Sequence, residues 1–279
     1  MSDPSNDGPR VALTHFAGRA GDRNDRAMRA SRTLARAMGE RLGVAPVAVG
    51  APDVPLGAAW DVELPAATPG LRAMADRLDD VLGRGLVSVT AMNRCAVALA
   101  TLPVVARHRP DAVVVWFDGH ADLNVPDGTT TGYLGGLAFS GPLGLWPSPL
   151  GTGLATGNAV LVGARDLDPP EQDVVDAGTV PLVRVGPSMA DELARVVAGR
   201  PVYVHVDCDV LDAGTVTTEY LVPGGMTLAD LRATAEVLAA SEVVGLEVGE
   251  LEAADDDSES VTSDVRLLLD ALEPLLPTP

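Results

Sequence analysis

The chain has 279 residues, 47% of them apolar, and its 20 basic against 39 acidic side chains leave a formal charge of −19. That charge makes nucleic acid and anionic membrane poor partners, and neither the polar start MSDPSNDGPR nor any later run offers the ~18 apolar residues of a membrane span, so a cytoplasmic protein is expected. Two cysteines, Cys95 and Cys208, cannot build a disulfide scaffold; each is either a small buried apolar group or a reactive or ligating thiol.

In chain order, β-branched runs at Arg10–Phe16, Pro46–Gly50, Leu86–Thr90, Ala112–Asp118, Ala159–Gly163, Val180–Val185, Pro201–Asp207 and Val243–Val248 read as strands. Amphipathic stretches at Asp25–Leu42, Leu71–Leu82, Ala190–Ala198 and Leu228–Ala239 read as the helices between them. The alternation is that of repeated βαβ units, and VVVWF and VYVHV are apolar on both faces, as a parallel sheet covered on each side requires. The expected fold is α/β: a three-layer α/β/α sandwich around a mainly parallel, about eight-stranded sheet, forming one domain over residues 1–279. The acidic run Glu252–Ser260 reads as a solvated loop before a last helix.

Two long loops, Asn124–Thr131 and Ala213–Gly225, follow strands that end in acidic residues. Ligands of such sheets bind beyond the carboxyl ends of the strands, so the chemistry is expected there. In AVVVWFDGHADLN, period-2 geometry places Asp118, His120 and Asp122 on one side; in VYVHVDCDVLD it does the same for His205, Asp207 and Asp209. Carboxylates gathered this closely repel one another and take up protons, unless a divalent cation holds them ionised.

These stretches resemble the arginase/agmatinase ureohydrolase family, whose WxDAHxD and SxDxDxxDP motifs stand here as WFDGHAD (116–122) and HVDCDVLDA (205–213). NVPDGTTTGYLGG (124–136) is similar to the family's substrate loop, GARDLDPPE (163–171) to its RDxDxxE stretch and GLEVGEL (245–251) to its strand-terminal glutamate. The resemblance implies Asp118 and Asp207 as ligands bridging two metal ions, His120 and Asp209 completing one ion, and Asp122 belonging to the other. Cys95 falls where the family's GGDHS motif has its histidine, so it is either a soft ligand, which would leave that site weak, or a buried helix thiol that binds nothing. Mn²⁺, as one or two ions, suits the oxygen-rich set.

By the same resemblance Asp122 is the general acid and Glu250 the carboxylate that meets the guanidine, with Glu247 in support. Asn124, Thr129, Thr131 and Asp168 fall where the family holds an α-amino acid, although small polar residues also serve turns. The expected substrate is therefore a small-molecule guanidino amino acid, and homo-oligomerisation is implied by family analogy alone. Two departures point to a reshaped pocket: TGYLGG puts Gly135 where the family has a histidine and Tyr133 where it has an asparagine, which is expected to open room beside the guanidine, and His205 replaces a serine. Loop character favours the family members that cleave Nω-hydroxy-L-arginine to ornithine and hydroxyurea in antibiotic biosynthesis, ahead of an arginase or another guanidino-acid hydrolase. A metal-poor, non-catalytic binding relative is the alternative of a different class.

Overall fold

The structure is a computed structural model that describes residues 11–253 and 258–277. Eight strands, β1 (Val11–Phe16), β2 (Val47–Val49), β3 (Val87–Ala91), β4 (Val113–Phe117), β5 (Ala159–Val162), β6 (Leu182–Val183), β7 (Val202–Asp207) and β8 (Val243–Gly249), form one sheet in the order β2-β1-β3-β8-β7-β4-β5-β6. Every neighbouring pair is parallel. The helices are α1 (Arg26–Leu42), α2 (Trp60–Gly83), α3 (Ala98–His108), α4 (Pro169–Asp176), α5 (Met189–Val197), α6 (Leu228–Ala239) and α7 (Ser258–Leu272).

Strand alternation decides which layer each side chain joins. Val113, Val115 and Phe117 of β4 and Val202, Val204 and Val206 of β7 pack with Leu34 and Met38 of α1, Leu193 of α5, Leu231 of α6 and Leu268 of α7. Their neighbours Val114, Trp116 and Tyr203 face the other way, against Leu78 of α2 and Leu102 and Val105 of α3. Each face thus has its own core, which explains the doubly apolar runs and gives the three layers expected. No described helix is long and apolar enough to cross a membrane.

All eight expected strands are present with ends within two residues of those expected, β3 and β8 each running one residue further; Arg10, placed in the first, lies outside the described residues. The helix expected at Leu71–Leu82 begins eleven residues earlier, at Trp60, and carries Pro65 and Pro69 inside it. Proline removes a helical donor and ordinarily ends a helix, but here tertiary contacts hold the first turns: Trp60 N donates to Gly132 O at 2.8 Å and Ala58 N to the buried Glu63 Oε1 at 3.0 Å. The acidic run is not one solvated loop. Glu252 is buried and Ser258–Ser260 open α7, while residues 254–257 lie outside the described residues.

Register brings four strand ends level. Trp116 of β4 sits opposite His205 of β7, His205 opposite Glu247 of β8, and Val248 of β8 opposite Ala91 of β3. The residues just beyond those ends, 92–95, 118–124, 207–211 and 250–252, therefore meet at one edge of the sheet.

Candidate metal centre and substrate pocket

Just past β4 the chain turns so that its own amides serve its acids. His120 N donates to Asp118 Oδ1 at 2.6 Å, the Trp116 indole N–H to Asp118 Oδ2 at 2.9 Å, and Gly119 N to Asp209 Oδ1 at 2.8 Å. His120 Nδ1 lies 3.3 Å from Asp118 Oδ1 and 3.1 Å from Asp209 Oδ2. Burial acts against the Asp118 carboxylate, but the His120 contact, that amide and the indole outweigh it and hold its pKa below the usual value. A Cβ on Gly119 would meet Asp209 Oδ1 at 2.9 Å, so the approach of the two loops depends on that glycine.

Past β7, Asp209 N donates to Asp207 Oδ1 at 2.8 Å, and the Cys95 thiol donates to Asp207 Oδ2 at 3.1 Å. Burial, followed by the charges of Asp209 and Asp118, pushes the Asp207 carboxyl well up; burial and the Asp118 charge do the same to Asp122. Asp122 is held at φ 51° and Glu250 at φ 61°, left-handed conformations that are rare away from glycine and that concentrate at functional positions.

Cys95 opens a short 3₁₀ turn, Cys95–Val97, that leads into α3, and it is buried. Its sulfur points into the acidic cluster. Donor atoms lie within 4.8 Å of one another in three sets: Cys95, Asp118 and Asp122; Cys95, Asp207 and Glu250; and Asp118, His120 and Asp209. Carboxylates that burial drives toward protonation, arranged with an imidazole and a thiol at such spacing, match what a divalent cation needs. Asp118, His120 and Asp209 form a hard oxygen and imidazole set, and the sets containing Cys95 are softer.

His205 stands behind the thiol. Its Nε2 is 3.1 Å from Cys95 Sγ, its Nδ1 is 2.8 Å from Glu247 Oε1, and its ring stacks on Trp116 with centroids 3.5 Å apart. Tyr203 Oη and Thr101 Oγ1 donate to the other oxygen of Glu247 at 2.8 and 2.9 Å. The supporting positions expected for His205 and Glu247 are therefore one buried chain of hydrogen bonds ending on Cys95. Cys208 turns away into the apolar core.

Glu250 has both oxygens engaged. Cys95 N donates to Oε1 at 2.8 Å and Arg94 Nη1 to Oε2 at 2.7 Å; burial lifts the carboxyl to a pKa of about 7 against the pull of Arg94. Arg94 is wholly buried and also reaches Asp22 at 3.1 Å, Glu252 at 2.9 Å and Glu219 at 3.0 Å. Sequence reasoning missed this network. Arg94 counted there only as a departure from GGDHS, and its partners at 22, 219, 250 and 252 share no local spacing with it. A charged residue directly before a suspected ligand was the available signal.

Above the acids opens a pocket lined by His120, Asp122, Asn124, Thr131, Tyr133, Asp168, Asp207, Tyr220 and Glu250, among others. Asn124 Nδ2 donates to Asp168 Oδ2 at 2.9 Å, while Asn124 Oδ1 is buried without a partner. Glu171, the last residue of the RDxDxxE-like stretch, joins the two loops: it accepts from Leu123 N and Asp168 N, each at 2.9 Å. Thr129 is not among the lining residues; its hydroxyl closes a turn by accepting from Gly132 N at 3.1 Å. The room expected beside Gly135 is not open. A Cβ there would meet Tyr133 Cε1 at 2.4 Å, so the Tyr133 ring fills the space that a side chain at 135 would take.

A model described as the arginase family matches residues 26–272. The N(omega)-hydroxy-L-arginine amidinohydrolase of Streptomyces lavendulae is 40% identical over 264 residues, covering 95% of this chain and 96% of its own. Among solved structures, arginase from Bacillus subtilis superposes with a TM-score of 0.80 at 20% identity, over 96% of this chain and 98% of its own. Proclavaminate amidino hydrolase from Streptomyces clavuligerus does so with 0.72 at 20% identity, over 98% and 93%.

Proposed function

The chain belongs to the arginase family, and from that premise we propose that it is a manganese-dependent amidinohydrolase that cleaves Nω-hydroxy-L-arginine to ornithine and hydroxyurea. The observation that carries this reading is the convergence of Asp118, His120, Asp122, Asp207, Asp209 and Glu250 at one sheet edge, four of them (His120, Asp122, Asp207 and Glu250) lining a pocket together with Asn124, Thr131 and Asp168. The relative from Streptomyces lavendulae adds weight because its likeness runs the whole length of both chains.

Asp118, His120, Asp122, Asp207 and Asp209, with Cys95, would hold the Mn²⁺ ions. When bound, the ions supply Lewis acidity and bring the acidity of water to neutral pH, which makes a nucleophile available beside the guanidine carbon. The protein's own groups do the rest. Water adds its oxygen to that carbon, the bond from carbon to the Nδ of the ornithine half breaks, and Asp122 passes a proton to the departing nitrogen. Asn124 Oδ1, buried and unpartnered, is an acceptor for the α-ammonium, and Thr131 lies beside it on the rim. Asp168 holds Asn124 in place.

Glu250 favours a hydroxyguanidine over a guanidinium. Its negative charge is offset in part by Arg94, which it shares with Asp22, Glu219 and Glu252, so a cationic guanidinium gains less from it, whereas the far less basic hydroxyguanidine can donate to the remaining lone pairs without bringing a charge. The test is metal-reconstituted protein assayed with Nω-hydroxy-L-arginine, L-arginine, agmatine and guanidinobutyrate. kcat/KM for the hydroxylated substrate should exceed that for arginine by roughly tenfold or more, a barrier difference of about 1.4 kcal/mol; arginine as the better substrate would end this reading.

A further inference from the structure

Tyr133 is fixed on three sides. Its ring lies against Gly135 so closely that no Cβ fits there, the Arg23 guanidinium carbon stands 4.7 Å from its centroid, and the Tyr220 ring is 6.1 Å away. Its hydroxyl is buried, yet has no hydrogen-bond partner. Buried hydroxyls are as a rule satisfied within the fold, and this one belongs to a residue that lines the pocket together with His120, Asp122 and Glu250. The ring is thus held at the pocket with its hydroxyl left unsatisfied by the fold.

The chemistry of the two rival substrates differs at one atom. A guanidinium offers N–H donors and no acceptor, so a phenol meeting it could only accept, and its own hydrogen would stay unpaired. An Nω-hydroxyguanidine carries an oxygen with lone pairs. We propose that Tyr133 is a specificity-determining residue, its hydroxyl donating a hydrogen bond to the N-hydroxyl oxygen of the substrate. This rests on the hydrolase reading above and deepens it, because it replaces the argument from room, which Tyr133 itself closes, by one from a directional contact. Burial and the nearby Glu250 charge keep the phenol protonated, and so a donor.

Tyr133→Phe deletes the hydroxyl and keeps the ring. In Mn²⁺-loaded enzyme, kcat/KM for Nω-hydroxy-L-arginine should fall at least tenfold, while the value for L-arginine changes less than about threefold. Inhibition by Nω-methyl-L-arginine supplies a comparison of matched size: the wild type should bind the hydroxylated compound at least tenfold more tightly than the methylated one, and Tyr133→Phe should erase that preference. Equal loss on both substrates, or a preference that survives in the variant, overturns the role of Tyr133. If the wild type itself does not turn over the hydroxylated substrate, the hydrolase reading is what fails.

Discussion

The metal centre has two unlike halves. Beyond β4 and β7, Asp118, His120 and Asp209 form a compact set held by amides of the same two loops. Beyond β3 and β8, the chain presents a thiol, a buried guanidinium and the carboxylates of Glu250 and Glu252, which are held by side chains far away in sequence. The first half is a candidate hard cation site built locally. The second is an ion network that draws on residues from across the edge of the sheet, with Arg94 tied to Asp22, Glu219, Glu250 and Glu252. This division suggests that damage to each half should produce a different failure.

The largest effect is expected at the residue that links the halves. Asp207 faces Cys95 and sits in the Asp209 turn, so Asp207→Ala should reduce kcat by about 10³-fold or more and leave less than one metal ion per chain by elemental analysis. Full turnover in metal-depleted variant protein would remove metal from the mechanism altogether.

Next in size, Arg94→Met strips the counter-charge from Asp22, Glu250 and Glu252. Breaking one side of a buried ion pair costs about 3–5 kcal/mol, so a lower Tm and urea midpoint are expected, with metal content at the Asp118, His120 and Asp209 set retained in the folded fraction. A variant as stable as the wild type would mean that the network contributes no stability.

The smallest effect concerns ligand softness. Cys95→His should raise Mn²⁺ occupancy severalfold after dialysis, although the larger ring must fit a fully packed position beside His205. Cys95→Ser should lower occupancy or leave it low. Three proteins with identical metal affinity would make the thiol a packing group, and the softer half would hold its ion through carboxylates alone.

The same division separates what was legible in the sequence from what was not. Strands β4 and β7 announce themselves by runs of β-branched residues, and the acids after them fall at alternate positions, so local pattern was enough for Asp118, His120, Asp122, Asp207 and Asp209 to be brought together. Arg94 was illegible because its charge is meaningful only beside Glu250, 156 positions along the chain. Tyr133 was read as part of an enlargement, since spacing tells that Gly135 lacks a side chain but not which neighbour leans into the gap. The first turns of α2 were lost to Pro65 and Pro69, whose local cost is offset by a contact from the substrate loop, Trp60 to Gly132, that no window of sequence contains.

The strand order carries a consequence for how the molecule is made. β8, the last strand in sequence among the described residues, is not at an edge: it lies between β3 and β7 and there joins the sub-sheet β2-β1-β3 to the sub-sheet β7-β4-β5-β6. Until residues 243–249 insert, two parallel sub-sheets each present a raw interior edge, and Arg94 lacks the carboxylates of Glu250 and Glu252. Non-local parallel pairing of this kind must meet its loop-closure entropy before any contact rewards it, so refolding is expected to be slower than for a fold of local contacts, a rate that stopped-flow fluorescence reads. In the finished fold the one strand that joins the two sub-sheets also brings Glu250 and Glu252 to Arg94, so the integrity of the sheet and that of the candidate site depend on the same residues.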